Sequence, residues 1–268
     1  FYFRAYSHAI GYLSSTTKNN DVTKNPGISV KLSALYPRYE FAQRDDAMQA
    51  IVPRVLSLAQ QAMGAGVAIT IDAEEARVLD LSLDIFEKVY SDPGLNDWEG
   101  LGLAVQSYQK RAPYVIEWLV KLYDKYQRRI MVRLIKGAYW DAEIKYAQMQ
   151  GLPGYPVFTR KASTDVSFLA CAKQLLAHPK AFYAQFGSHN AYSVASILAL
   201  TQGRTDFEFQ ALHGMGHILY DKVVDKSNIA CRIYAPVGGH RELLAYLVRR
   251  LLENGANTSF VNRIADEK

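Results

Sequence analysis

The sequence predicts an α/β protein folded as a distorted (βα)8 barrel of the TIM type, in a single domain over residues 1–268. Three observations carry this expectation. The chain has 268 residues, 49% of them hydrophobic, close to the roughly 250 residues of a typical barrel of this kind. Short apolar runs alternate with amphipathic stretches of helical length, the rhythm of parallel βα units. Six of the runs are also continuously or nearly continuously apolar, as expected of parallel strands covered on both faces.

In chain order, residues 2–13 read as a helix and precede the first strand-like run at 27–34. Further runs follow at 67–74, 101–108, 129–137, 182–188, 207–214 and 231–238. Between them, Met48, Ile51, Val52, Val55, Leu56 and Ala59 form a helical stripe in 45–63. The other helices are expected at 76–90, 112–126, 141–149, 165–176, 191–200 and 242–254, with Asp165 and Asn190 as N-caps and Gly255 just past the last helix. These runs make seven strands, whereas a closed barrel needs about eight. The first strand is therefore expected upstream of residue 1, which makes the chain part of a longer one.

The charge balance, 31 basic against 26 acidic residues, is mildly positive and scattered, which argues against a nucleic-acid surface. The two cysteines, Cys171 and Cys231, have no metal or redox spacing and read as small buried thiols in a reducing compartment. No apolar run approaches the ~18–20 residues of a membrane span. A cytoplasmic protein, at most peripheral on the inner face of a membrane, is expected.

In barrels the chemistry sits at the C-terminal ends of the strands. Here those ends carry Lys31, Asp72, Gln106, Arg133 with Lys136, Gln185 with His189, Gln210 with His213, and Tyr234. One carboxylate among them is too few for a glycosidase pair. No nucleophile elbow, P-loop or dinucleotide fingerprint occurs, and His213 and His217 have no convincing third ligand, so no metal is expected. What remains is a donor-rich site suited to a carboxylated substrate and a phosphate-bearing cofactor. The adjacent Arg249 and Arg250 point ~100° apart on a helix, so one of them can grip a carboxylate in a bidentate fork while its neighbour faces elsewhere. Two other readings stay open at this stage: a Schiff-base, aldolase-like enzyme using Lys136, and a non-enzymatic cationic scaffold.

The segments GISVKLSAL (27–35), TIDAEEA (70–76), RLIKGAYWD (133–141), YPVFTRK (155–161), HNA (189–191), CRIYAPVG (231–238) and YLVRRLLENGANTSFVNRI (246–264) together resemble the FAD-dependent proline dehydrogenases, in the form carried by bifunctional proline-utilisation flavoenzymes. The resemblance runs from about residue 27 to the end, with a weaker match in the first helix. It implies oxidation of L-proline to 1-pyrroline-5-carboxylate, with hydride passing from the ring carbon beside nitrogen to flavin N5. It also implies a membrane quinone as acceptor, a 1-pyrroline-5-carboxylate dehydrogenase domain elsewhere in the full chain, and a strand and acidic loop before the first helix. In its terms Lys31, Arg249 and Arg250 hold the proline carboxylate, Asp72 orients them, and Leu212, Tyr139 and Tyr234 enclose the ring. Tyr234 packs where a ring hydroxyl would project, which favours proline over hydroxyproline. Arg133 lies near flavin N5, and Gln106 and Gln210 meet the isoalloxazine edge. Asp72, Ala73, Ile135, Lys136, Gly137, Ala138, Tyr139, Trp140, Phe158 and Leu212 line the cofactor. Thr159, Lys161, His189, Asn190, Glu253, Ser259 and Phe260 hold its ribityl, pyrophosphate and adenosine parts.

Overall fold

The computed structural model describes residues 1–95 and 97–238, together with 243, 244 and 248. Arg249, Arg250, Glu253, Ser259 and Phe260, and the expected helix 242–254 with Gly255, lie outside the described residues or fall mostly beyond them. Among the described residues the order is α1 (Tyr2–Ser14), β1 (Gly27–Val30), α2 (Leu32–Leu35), α3 (Arg44–Ala65), β2 (Ala68–Ile71), α4 (Leu79–Tyr90), β3 (Leu101–Gln106), α5 (Ala112–Tyr126), β4 (Ile130–Ile135), α6 (Trp140–Met149), α7 (Lys161–Ala177), β5 (Phe182–Gly187), α8 (Ala191–Thr201), β6 (Phe207–Leu212), α9 (His217–Ser227) and β7 (Ala230–Tyr234). The seven strands form one sheet in sequence order, every neighbouring pair parallel.

All seven expected runs contain a strand, and their ends show where sequence reading falls short. The first run stops as a strand at Val30, and Leu32–Leu35 turns into a short helix. Leu32 and Leu35 are buried there, so an apolar run cannot by itself tell strand from helix. Asn190 does cap α8, its side chain accepting from the Ser193 amide at 3.0 Å, a contact worth about 1 kcal/mol. Asp165 does not cap α7. That helix begins four residues earlier, at Lys161, so Asp165 lies inside it, where two lysines hold it (below).

Strand alternation sorts the core into two compartments. Ile69, Leu103, Val132, Phe186 and Phe209 face outward and pack with Ile51, Leu58, Ile85, Ile116 and Phe168 from the helices. Inside the curl Ala68, Met131 and Tyr183 form a small apolar cluster, beside a buried set of polar and charged side chains. Glu208 of β6, fully buried, accepts from Gln185 at 3.0 Å, from Gln210 at 2.7 Å and from Arg232 of β7 at 2.8 and 2.9 Å. Arg232 also donates to the carbonyls of Asn25 and Thr23, at 2.6 and 2.8 Å. It thereby brings β7 next to the chain entering β1 and shows that the sheet curls back on itself as an open, distorted barrel.

A buried ion pair gains little over apolar packing, but breaking one from a single side is costly. Arg232→Leu strands the Glu208 carboxylate and is expected to destabilise the fold by about 3–5 kcal/mol. Adding Glu208→Leu to that variant should recover part of the loss, as chemical denaturation of both variants would show.

Candidate active site

The strand ends converge on one guanidinium. Arg133 of β4 points into the curl, where Nε donates to Gln210 Oε1 at 2.6 Å, Nη1 to Asp72 Oδ1 at 2.8 Å and Nη2 to Ser29 Oγ at 2.8 Å. One side chain thus ties β4 to β6, to the end of β2 and to β1. The Tyr234 ring covers it at 5.0 Å, and the Tyr234 hydroxyl approaches the other Asp72 oxygen at 3.4 Å.

Lys31, just past β1, donates to the Tyr139 hydroxyl at 2.9 Å, and its own amide donates to the Tyr6 hydroxyl of α1 at 3.1 Å. Burial opposes the charged amine, but Asp72, Tyr139 and Glu74 outweigh it and hold the Lys31 pKa above the ordinary lysine value. Lys31 is therefore a permanent cation at the mouth. An ammonium has three donors, and one of them goes to Tyr139.

Gln106 bridges two loops, donating to the Glu74 carbonyl at 2.8 Å and accepting from the Ala138 amide at 3.1 Å. Gln210 is likewise held at both ends, by Arg133 and Glu208. Lys136, buried at the end of β4, pairs with Asp165 at 2.5 Å, and Lys161 takes the other oxygen of Asp165 at 2.5 Å. Burial lowers the Lys136 pKa, with the Asp165 carboxylate pulling the other way.

Residues 137–140 form the rim. Gly137 has φ +144°, and a Cβ there would fall 2.4 Å from the Tyr108 ring, so this loop lies flat on an aromatic surface that only glycine permits. Ala138 and Tyr139 are half-buried, Trp140 is exposed, and the Trp140 indole donates to the Phe158 carbonyl at 2.8 Å. Thr159 and Lys161 are exposed and Ala73 and Ile135 half-buried around the same mouth.

His189, past β5, accepts the Leu212 amide on Nε2 at 2.9 Å. Burial lowers its pKa, and because Nε2 accepts that amide, the proton of the neutral ring resides on Nδ1. Asn190 beside it is occupied as the α8 cap.

Of the expected strand-end set, the structure brings Asp72, Arg133, Gln210 and Tyr234 into contact, while Lys136 turns to Asp165 and Gln185 to Glu208. Sequence reading missed Ser29, Glu208 and Arg232 as supports. Glu208 was legible in hindsight: a lone charge between Phe207 and Phe209 inside an apolar run needs a buried partner. Gly137→Ala is expected to displace the rim and lower the melting temperature, because no side chain fits between this loop and the Tyr108 ring. Thermal denaturation of the variant beside wild type measures this.

The sequence profile of the proline dehydrogenases matches residues 1–263. The bifunctional protein PutA of Klebsiella aerogenes is 54% identical over 99% of this chain, and that of Rhizobium meliloti 49% identical over all of it. The chain spans only 21% and 22% of those two proteins. A solved structure of a Bradyrhizobium japonicum PutA variant matches at 54% identity with a TM-score of 0.94, covering 99% of this chain and 27% of that one. PutA from Bdellovibrio bacteriovorus, inactivated by N-propargylglycine, matches at 30% identity with a TM-score of 0.90, covering 100% of this chain and 29% of that one. The chain therefore belongs to the proline dehydrogenase family.

Proposed function

We propose that this chain is the FAD-dependent proline dehydrogenase unit of a bifunctional proline-utilisation enzyme and oxidises L-proline to 1-pyrroline-5-carboxylate. The observation that carries the reading is the permanent cation Lys31, set beside Tyr139 at the mouth of a barrel whose interior positions Arg133 and Asp72. A small zwitterion offers one anionic handle, and a fixed ammonium fits it. Arg249 and Arg250, outside the described residues, are assigned to the same carboxylate.

The donors present also suit FAD. Lys161 and the Nδ1 proton of His189 fit the pyrophosphate, with Lys136 behind them. The rim at Ala138, Tyr139 and Trp140 offers a flat, partly aromatic wall for the isoalloxazine, and Arg133 a fixed cation near its reactive edge. Bound there, FAD supplies the two-electron acceptor for the hydride leaving the ring carbon beside nitrogen. Gln106 and Gln210 act through the loops and side chains they already hold, so their contact to a flavin would be secondary to that bracing. Leu212, Tyr139 and Tyr234 would pack on the ring, exclude water and hold the carbon in register.

As the hydride leaves, nitrogen forms a double bond to carbon and must have given up its proton. Lys31 stays protonated and Asp72 is ion-paired to Arg133, so neither accepts that proton, and it goes to water. The Bdellovibrio relative's inactivation by N-propargylglycine, itself a carboxylate with a secondary amine, supports the same substrate class. An aldolase-like role for Lys136 is disfavoured by its ion pair with Asp165 and by the family. The acceptor beyond FAD is assigned to a membrane quinone, and the second activity to a 1-pyrroline-5-carboxylate dehydrogenase region elsewhere in the protein. Among the described residues no helix is long and apolar enough to cross a membrane. An eighth strand, between β7 and β1, would complete the barrel.

Purified protein given L-proline and a quinone analogue should form a product trapped by o-aminobenzaldehyde, and no such product would count against the assignment. Lys31→Met should raise KM for proline by roughly a hundredfold, about 3 kcal/mol for a charge-assisted contact, with a smaller fall in kcat. The kcat/KM profile should rise with pH as the substrate amine deprotonates. Because the folded pKa of Lys31 is raised, no loss should appear until above the ordinary lysine range of ~10.4.

A further inference from the structure

Resting on that reading of the site, we infer that Glu143 is a positioning residue, pinning the loop that presents Asp72 to the loop that presents Tyr139. Glu143 lies in the first turn of α6 and is only 3% exposed. Its Oε1 accepts the Ala76 amide at 2.6 Å. Ala76 opens a short 3-10 helix whose preceding residue, Glu75, makes no side-chain cap. The carboxylate from α6 therefore caps that turn from outside its own segment, satisfying an amide that burial would otherwise leave costly.

The other end of the pin is the Glu143 backbone, whose amide donates to the Tyr139 carbonyl at 2.9 Å. One residue thus touches both sides of the mouth: the chain after β2, which carries Asp72 and Glu74, and the start of α6, which carries Tyr139. Gln106 joins the same two loops from inside the barrel, so the loops are clamped from two directions. The Asp72 side orients Arg133, and Tyr139 holds Lys31.

A structural carboxylate at this depth is costly to keep. Burial raises the Glu143 pKa, the Ala76 amide opposes this, Glu75 adds to it, and Arg77 and Arg111 lower it. Arg111 also donates to the Ala76 carbonyl at 2.7 Å and to Asp80 at 2.9 and 3.0 Å, so the polar cluster around residue 76 is built, not incidental. The function this cost supports is register: a displacement of about 1 Å between reacting groups can lower a rate by ~100-fold.

The test compares Glu143→Ala, Glu143→Gln and, as a stability control, Ile85→Ala in the buried face of α4, with flavin-loaded protein throughout. Glu143→Ala should lower kcat by roughly ten- to a hundredfold and raise amide hydrogen exchange in both 72–76 and 138–142. Glu143→Gln, which keeps the acceptor, should restore both readouts to near wild type. Ile85→Ala should lose thermal stability while keeping kcat and leaving exchange at 138–142 unchanged. The inference is overturned if Glu143→Ala loosens only 76–78 with kcat intact, if Glu143→Gln fails to rescue, or if the control reproduces the Glu143→Ala pattern. Exchange is read without substrate, so it decides the pin even if the protein oxidises no proline, an outcome that would sink the proposed function instead.

Discussion

The interaction on which the rest depends is the triple anchoring of Arg133. A guanidinium presents a planar fork of five donors that stays charged. Inside the curled sheet each of its three nitrogens reaches a different strand or strand end: Gln210 on β6, Asp72 after β2 and Ser29 on β1. A cation there would be intolerable alone. Asp72 balances it directly, and Gln210 passes the demand down to Glu208, which Arg232 balances in turn. The barrel interior is therefore a column of alternating charge running from the mouth toward the floor. This couples the shape of the mouth to the closure of the sheet, because the lower cation is the same one that reaches the carbonyls before β1.

That column explains a division of labour at the mouth. Gln106, Gln210 and Arg133 have their side-chain groups occupied by protein partners, and they behave as a fixed frame. Lys31, Trp140, Lys161 and the Nδ1 side of His189 stand on the frame with donors or ring faces turned outward. Preorganised groups cost nothing to align when a ligand arrives, and a frame of this kind keeps the few outward-facing groups from collapsing onto one another.

Much of this was legible in the sequence. Strands covered on both faces read as apolar runs, and their polar C-terminal residues marked the mouth, so Lys31, Asp72, Gln106, Arg133 and Tyr234 could be grouped before any coordinates. What the sequence hid was pairing. The run 27–34 concealed a change from strand to helix because Leu32 and Leu35 are as buried as the strand before them. Asp165 looked like a helix cap, since a lone Asp before an apolar stretch usually is one, but Lys161 one turn earlier on the same helix and Lys136 at the end of β4 claim it. Glu208 with Arg232, and Glu143 with the Ala76 amide, join positions 24 and 67 residues apart, and no local pattern encodes such a meeting.

The most direct test of the account is an anaerobic titration of the purified flavin-loaded protein with L-proline, followed by visible absorbance. On the proposed function, in which Lys31 takes the carboxylate and Arg133 stands beside FAD, the oxidised flavin band should bleach as proline is added. Arg133→Met should bind proline yet reduce its flavin far more slowly. Flavin that stays oxidised in excess proline, or an Arg133→Met variant that bleaches as fast as wild type, would contradict the central role given to that guanidinium.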